Sequence, residues 1–177
     1  MQVARRIMTP LATTMVALVV VGLAVRIYMG REGEDRLAQG EAVEIASLRS
    51  PLPKASFLAC PPGYCVASEA ISSPVFDLSW DRLRDYWAEI MGHEKRIMNV
   101  VADPENRRFA YIQHSVTFRF PDVVTVEFVQ FGANHSGIAI YSRSRYGQFD
   151  FGKNRKRVER WLVLLQKVAV PWHRAGA

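Results

Sequence analysis

Ser142-Arg143-Ser144-Arg145-Tyr146-Gly147-Gln148-Phe149-Asp150-Phe151-Gly152-Lys153-Asn154-Arg155-Lys156-Arg157 is the stretch on which the fold turns. Its first residues read as the end of a strand. Gly147 and Gly152 punctuate a loop, and the basic run from Asn154 opens a helix. A strand that feeds a helix through so short a loop places sheet and helix in adjoining layers. Seven basic residues stand against two acidic ones within 142–160, so +5 of the chain's formal +6 falls there.

Downstream, Val158, Trp161, Leu162, Leu165 and Val168 recur at helical spacing and predict an amphipathic helix over 154–168. Upstream, Ile138 to Ser144 reads as a strand, with Ile138 and Ile140 on one face and Tyr141, Arg143 and Arg145 on the other. Val123 to Phe131 is a further strand, separated from it by the Gly132–Gly137 loop. Phe109 and Tyr111 alternate on odd positions, whereas Val116, Phe118 and Phe120 alternate on even ones. That change of phase predicts a bulge at Gln113-His114-Ser115, with Pro121-Asp122 breaking the run. Arg96 to Ala102 is another strand, ended by the turn Asp103-Pro104-Glu105-Asn106. Before it, Ser79 is a favoured N-cap, and Leu78 with Leu83 makes a hydrophobic staple. Trp80, Leu83, Trp87, Ile90 and Met91 then form an apolar stripe that Gly92 terminates. The order α-β-β-β-β-α predicts an α+β domain over 60–170, a four-stranded antiparallel meander with two flanking helices.

Residues 7–25 carry no charge over 19 positions. At about 1.5 Å per residue they reach roughly 28 Å, close to the apolar thickness of a bilayer. This predicts an N-terminal transmembrane helix, a membrane anchor over 1–29, with the N-terminus cytoplasmic and the domain periplasmic or otherwise exported. A cleaved signal peptide fits the same charges and apolar run, but no A-x-A site follows. Residues 30–59 read as a linker and 171–177 as a tail.

The chain has two cysteines, Cys60 and Cys65, around Pro61-Pro62-Gly63-Tyr64. An even count at short spacing suits a disulfide in an oxidising compartment, and two reduced structural thiols are the alternative. No spacing of Cys and His completes a zinc site, so no metal or other cofactor is expected.

The basic block is where chemistry is expected. Cations in a first helical turn oppose the helix dipole, and Asp150, Glu159 or a bound anion would offset them. Arg143, Arg145, Asn154, Arg155 and Arg157 are the candidate anion-binding residues, and Arg side chains suit bidentate recognition. Ser142, Ser144, Gly147, Asp150 and Gly152 form the structural frame of the motif. Equally, the block pins its own loop, for instance through an Arg143–Asp150 pair. His93, His114, His135 and His173 show no metal-ligand spacing, and no nucleophile elbow or phosphate-binding glycine loop is present. No catalytic residue is assigned, although His114, at the expected bulge, and Asp150 are the acid–base candidates should the domain be an enzyme.

The pattern Ser-Arg-Ser-Arg-x-Gly-x-x-Asp-x-Gly-x-Asn-Arg-x-Arg at 142–157 resembles the signature of a bacterial and plant family, domain of unknown function 1499. Cys60 to Val66 resembles its N-terminal element, with Gly63-Tyr64 where an Asn commonly precedes the Cys. Phe118-Arg119-Phe120-Pro121-Asp122 resembles its central segment. Together these cover roughly 60–168. The resemblance implies a small membrane-linked or exported domain and supplies no activity, cofactor or catalytic residue. The expected function is a binding or accessory module for an anionic ligand, a lipid headgroup or an acidic protein, held to a membrane through 7–25. Nucleic acid is not an expected partner, because stacking aromatics are not interleaved with the basic residues. A structural subunit of a membrane complex is the alternative.

Overall fold

The computed structural model describes the backbone of residues 2–35 and 42–171, and the side chains of 12–28 and 42–171. Helix α1 spans Gln2–Asp35. After a 3-10 turn at Ile45–Ser47 come β1 (Ser56–Cys60), β2 (Ile71–Ser72), β3 (Val75–Phe76) and α2 (Trp80–His93). Then follow β4 (Ile97–Asp103), β5 (Arg108–His114), β6 (Pro121–Phe131), β7 (His135–Ser144) and α3 (Lys153–Val168).

All seven strands form one sheet, ordered β2-β1-β7-β6-β5-β4, with β3 also pairing β7. The meander β4 to β7 is antiparallel, as its short turns require. β1 adds to it antiparallel to β7, and β2 lies parallel to β1. The sheet is therefore mixed and seven-stranded, which corrects the expected four-stranded meander. Three strands were missed because they run five, two and two residues. Segments that short leave no period to read. They are held by tertiary contacts: Ser73 Oγ donates to the Ile138 carbonyl at 2.6 Å, at the step between β2 and β3.

The expected bulge at 113–115 is also corrected. β5 ends at His114, residues 115–120 form a loop, and Pro121-Asp122 begins β6. Pro121 pairs with His114 at the first position of its strand, where a missing N–H is tolerated. The irregularity in the sheet lies in β4, between Asn99 and Val101.

The two sheet faces bury different cores. α2 and α3 cover one face, where Trp87 and Trp161 meet edge to face at 5.3 Å. The Trp87 indole N–H donates to the Tyr111 hydroxyl at 3.1 Å. The helix stripes lie as expected, except that Val168 is 46% exposed. The first N–H of α2 donates to Gln130 Oε1 at 2.9 Å, so β6 supplies the cap that Ser79 was expected to give. Residues 43–70 cover the other face, packing Ile45, Leu58 and Ala67 on Ala139 and Tyr141. Cys60 and Cys65 are joined as a disulfide whose Cα atoms lie 6.0 Å apart.

Beneath that loop Glu127 is buried on β6. Its carboxylate accepts from Arg108 Nε at 2.6 Å, from the Tyr64 hydroxyl at 2.8 Å and from the Ile45 N–H at 3.2 Å. A buried charge needs this degree of satisfaction. Burial, and then the neighbouring Glu127, push the Tyr64 hydroxyl well above its ordinary pKa, so it stays a donor.

Among the described residues, no helix is long and apolar enough to cross a membrane. This overturns the single-pass anchor, the signal-anchor reading and the location built on them. The side chains of residues 7–11 of the expected span lie outside the described residues. Helix α1 runs on past the apolar stretch through Arg26, which donates to the carbonyls of Val116 at 3.1 Å and Thr117 at 2.7 Å.

Candidate functional site

The motif at 142–157 builds a buried polar knot before it builds anything else. Ser142 and Ser144, two apart on β7, present side chains to one face of the sheet, and Asn154 and Arg157, three apart on α3, lie on one face of the helix. Arg157 Nη2 meets Asp122 Oδ2 at 2.5 Å, with both side chains 11% exposed. Arg157 Nη1 donates to Ser142 Oγ at 2.9 Å and to Asn154 Oδ1 at 2.6 Å. Ser142 Oγ donates to Asn154 Oδ1 at 2.7 Å. Ser144 Oγ donates to Asp122 Oδ1 at 2.9 Å, and Asn154 Nδ2 donates to the Ala55 carbonyl at 3.0 Å. The knot joins β6, β7, α3 and the lead into β1. The serines and the asparagine satisfy the lone pairs and protons that a buried ion pair leaves over.

Asp150 has a separate task. Its Oδ1 accepts from the Gly152 N–H at 3.0 Å and its Oδ2 from the Asn154 N–H at 2.9 Å. The carboxylate thus stands where an anion would sit against the first turn of α3. Burial works against its charge, but the two backbone N–H bonds outweigh this and hold its pKa below the ordinary value. Gly152 makes the turn possible with φ 72°.

The remaining candidates do not converge. Arg155 pairs with Glu159 at 2.8 Å and lies over the Phe57 ring. Arg143 faces a hollow of about 380 Å³ beside Lys54, Gly147 and Gln148. Arg145 lies over the Tyr146 ring at 5.7 Å. Asn154 and Arg157 are committed to the knot.

A larger cleft, about 660 Å³, opens between the 115–120 loop and the 146–153 loop. Its polar floor is Asp122, Ser144 and Arg157, and His114 and Asp150 also line it. Its walls are aromatic. The chain has nine phenylalanines. Four are exposed, Phe118 (47%), Phe120 (37%), Phe149 (74%) and Phe151 (86%). All four line this cleft. Two cations join them. Lys153 has no carboxylate partner among the described residues, and Arg96 donates only its Nε, to the His114 carbonyl at 3.2 Å. Arg96, Lys153 and Arg157 outnumber Asp122 and Asp150 among the lining charges, so the cleft carries a net positive formal charge.

Backbone strain collects at the same place. Phe151 (φ 54°) and Arg96 (φ 57°) line the cleft, and Arg119 (φ 57°) stands between Phe118 and Phe120. Left-handed conformations cost non-glycine residues about 1–3 kcal/mol each and collect at ligand sites. The phenylalanines were not picked out from the sequence, because two read as strand residues and two as loop filling. Phe149-Asp150-Phe151 flanking a capping carboxylate was the available signal.

The other histidines lie elsewhere. His93 ends α2, His135 is 3.4 Å from Asp77, and His173 is outside the described residues. Among the described residues no three His, Cys, Asp or Glu side chains are grouped to hold a metal ion.

A family model described as "Protein of unknown function (DUF1499)" matches residues 70–165, more than half of the chain. The chain belongs to that family. No curated protein matches it.

Proposed function

We propose that this member of a family without an assigned activity is a binding module, and that it holds an anionic ligand in the cleft between the 115–120 and 146–153 loops. The observation that carries this reading is the coincidence of three features at one concavity. Every exposed phenylalanine is there and, among the described residues, three of the four non-glycine residues with positive φ are in or beside it and two cations there lack a carboxylate. An apolar cleft with a few convergent polar groups, within about 300–1,000 Å³, is the ordinary form of a small-ligand site.

The helix N-terminus is not the anion site in this reading, since Asp150 already occupies it. The anion sits against Lys153 and Arg96. An acid–base enzyme is less well supported. His114 and Asp150 do line one cleft, but both carboxylate oxygens of Asp150 are engaged and its lowered pKa makes it a poor proton carrier at neutral pH.

The test is equilibrium titration of the full chain with butyl phosphate, against the Arg96→Gln/Lys153→Gln double variant. Both side chains are surface groups outside the knot, so the variant keeps its fold. Charge-assisted hydrogen bonds contribute about 1.5–3 kcal/mol, so affinity is expected to fall at least tenfold. Equal binding by both proteins would remove the proposal.

A further inference from the structure

We infer that the ligand of this cleft is a single-chain anionic amphiphile, a carboxylate or phosphate head bearing an extended alkyl chain. This rests on the binding reading above and goes beyond it by naming the second half of the ligand.

The composition of the cleft demands that half. An ion alone needs donors and cations, which Lys153 and Arg96 supply on one side. It has no use for Phe118, Phe120, Phe149 and Phe151, which hold apolar surface against water. The cost of their exposure is specific to this place, since the other five phenylalanines of the chain are buried or half-buried. Phe151 is 86% exposed on a backbone of φ 54°, followed by Gly152 at φ 72°. Two successive left-handed residues turn that ring out of the path of the chain, and the capping bonds to Asp150 hold the turn in place. Phe118 and Phe120 stand on the opposite wall, on either side of Arg119. Their rings lie 5.7 Å apart, and the loop that carries them is closed by Ser115 Oγ, which accepts from the Phe120 N–H at 3.0 Å. Two braced loops therefore face each other with aromatic walls and leave cations at the same opening. A chain between the walls with its head at Lys153 and Arg96 matches both chemistries, whereas a polar anion leaves the walls wet and a neutral chain leaves the cations unused.

Alkyl phosphates of increasing length test this on the full chain, all kept below their micelle concentration. Inorganic phosphate, butyl, hexyl and octyl phosphate form the series, with octanol as the headless chain. Each methylene that enters the cleft is expected to tighten binding about fourfold. Octyl phosphate should bind at least tenfold better than octanol. Phe149→Ser/Phe151→Ser should flatten the length dependence, and Lys153→Gln should weaken every phosphate by a similar factor. These three side chains project from the surface, so the variants test the site rather than the fold.

The failures are separable. If affinity is the same from inorganic phosphate to octyl phosphate and still depends on Lys153, the amphiphile inference is overturned and the anion reading stands. If affinity rises with length but Lys153→Gln and Arg96→Gln change nothing, both are overturned. If the length dependence survives in Phe149→Ser/Phe151→Ser, the chain is bound elsewhere, for example on the exposed apolar surface of α1, and the inference is overturned.

Discussion

Arg157 is the residue on which the C-terminal motif depends. Its guanidinium is fixed by Asp122, Ser142 and Asn154, and removing it leaves Asp122 buried without its counter-charge. Arg157→Ala is expected to cost about 3 kcal/mol, read from the urea midpoint of the full chain. Arg157→Lys should recover little of that, because an ammonium cannot reach Asp122 and Ser142 together as the fork does. Full recovery by lysine would show that charge alone matters at this position. Asp150 makes a pH-dependent contribution. A carboxyl whose folded pKa is lowered stabilises fully above its unfolded value, about 3.9, and loses that contribution as pH falls through the lowered value. Wild type should therefore exceed Asp150→Asn in stability at pH 7, with the gap closing below about pH 4. A gap unchanged between neutral and strongly acid solution would contradict the capping role. At this scale the sequence was legible in part. The i, i+2 serines and the i, i+3 pair Asn154 and Arg157 declare their common faces by spacing alone. Their acidic partner, Asp122, lies 35 positions from Arg157 and is brought to it only by the β6–β7 pairing.

The disulfide loop and the strand beneath it make one element-scale unit. A Cβ on Gly137 of β7 would meet Pro61 Cβ at 2.8 Å, and the proline ring is too stiff to move aside alone. Gly137→Ala is therefore expected to lose about 1–3 kcal/mol through overpacking, seen as a lower thermal midpoint. Unchanged stability would mean that the loop lifts freely off the sheet. Opening the Cys60–Cys65 ring by Cys65→Ser should cost about 2 kcal/mol on the loop-entropy estimate. The long elements, α2, α3 and the β4–β7 meander, were legible because their apolar periods extend over many residues. β6 is the instructive exception. It is buried on both faces from Pro121 to Phe128, so Thr125 and Glu127, which look like solvent-facing residues in an alternating strand, lie under residues 43–64. Nothing in their local spacing announces a second cover. The strands that extend the sheet beyond the meander, β1 to β3, are too short to show a period of their own.

The molecule as a whole is a mixed sheet covered on both faces, with an open cleft where the β5–β6 loop faces the β7–α3 loop. The apolar run near the N-terminus was read as a membrane span, but among the described residues no helix is long and apolar enough for one. What α1 does show is a contact with the candidate site, since Arg26 binds the carbonyls of Val116 and Thr117 at the rim of the cleft. The basic block also changes meaning at this scale. Its charge suggested a single anion site, yet its residues divide between an internal knot, a capped helix and outer surfaces. The cations without a carboxylate partner among the described residues, Lys153 and Arg96, lie 57 positions apart in the sequence. Titration of the full chain, labelled with ring-¹³C phenylalanine and followed by NMR while octyl phosphate is added, tests the cleft most directly. The expected result is that Phe118, Phe120, Phe149 and Phe151 shift together along one binding isotherm while Phe76 and Phe128 in the core stay still. Shifts spread evenly over all nine phenylalanines, or none at the four exposed rings, would contradict the assignment of this cleft as the ligand site.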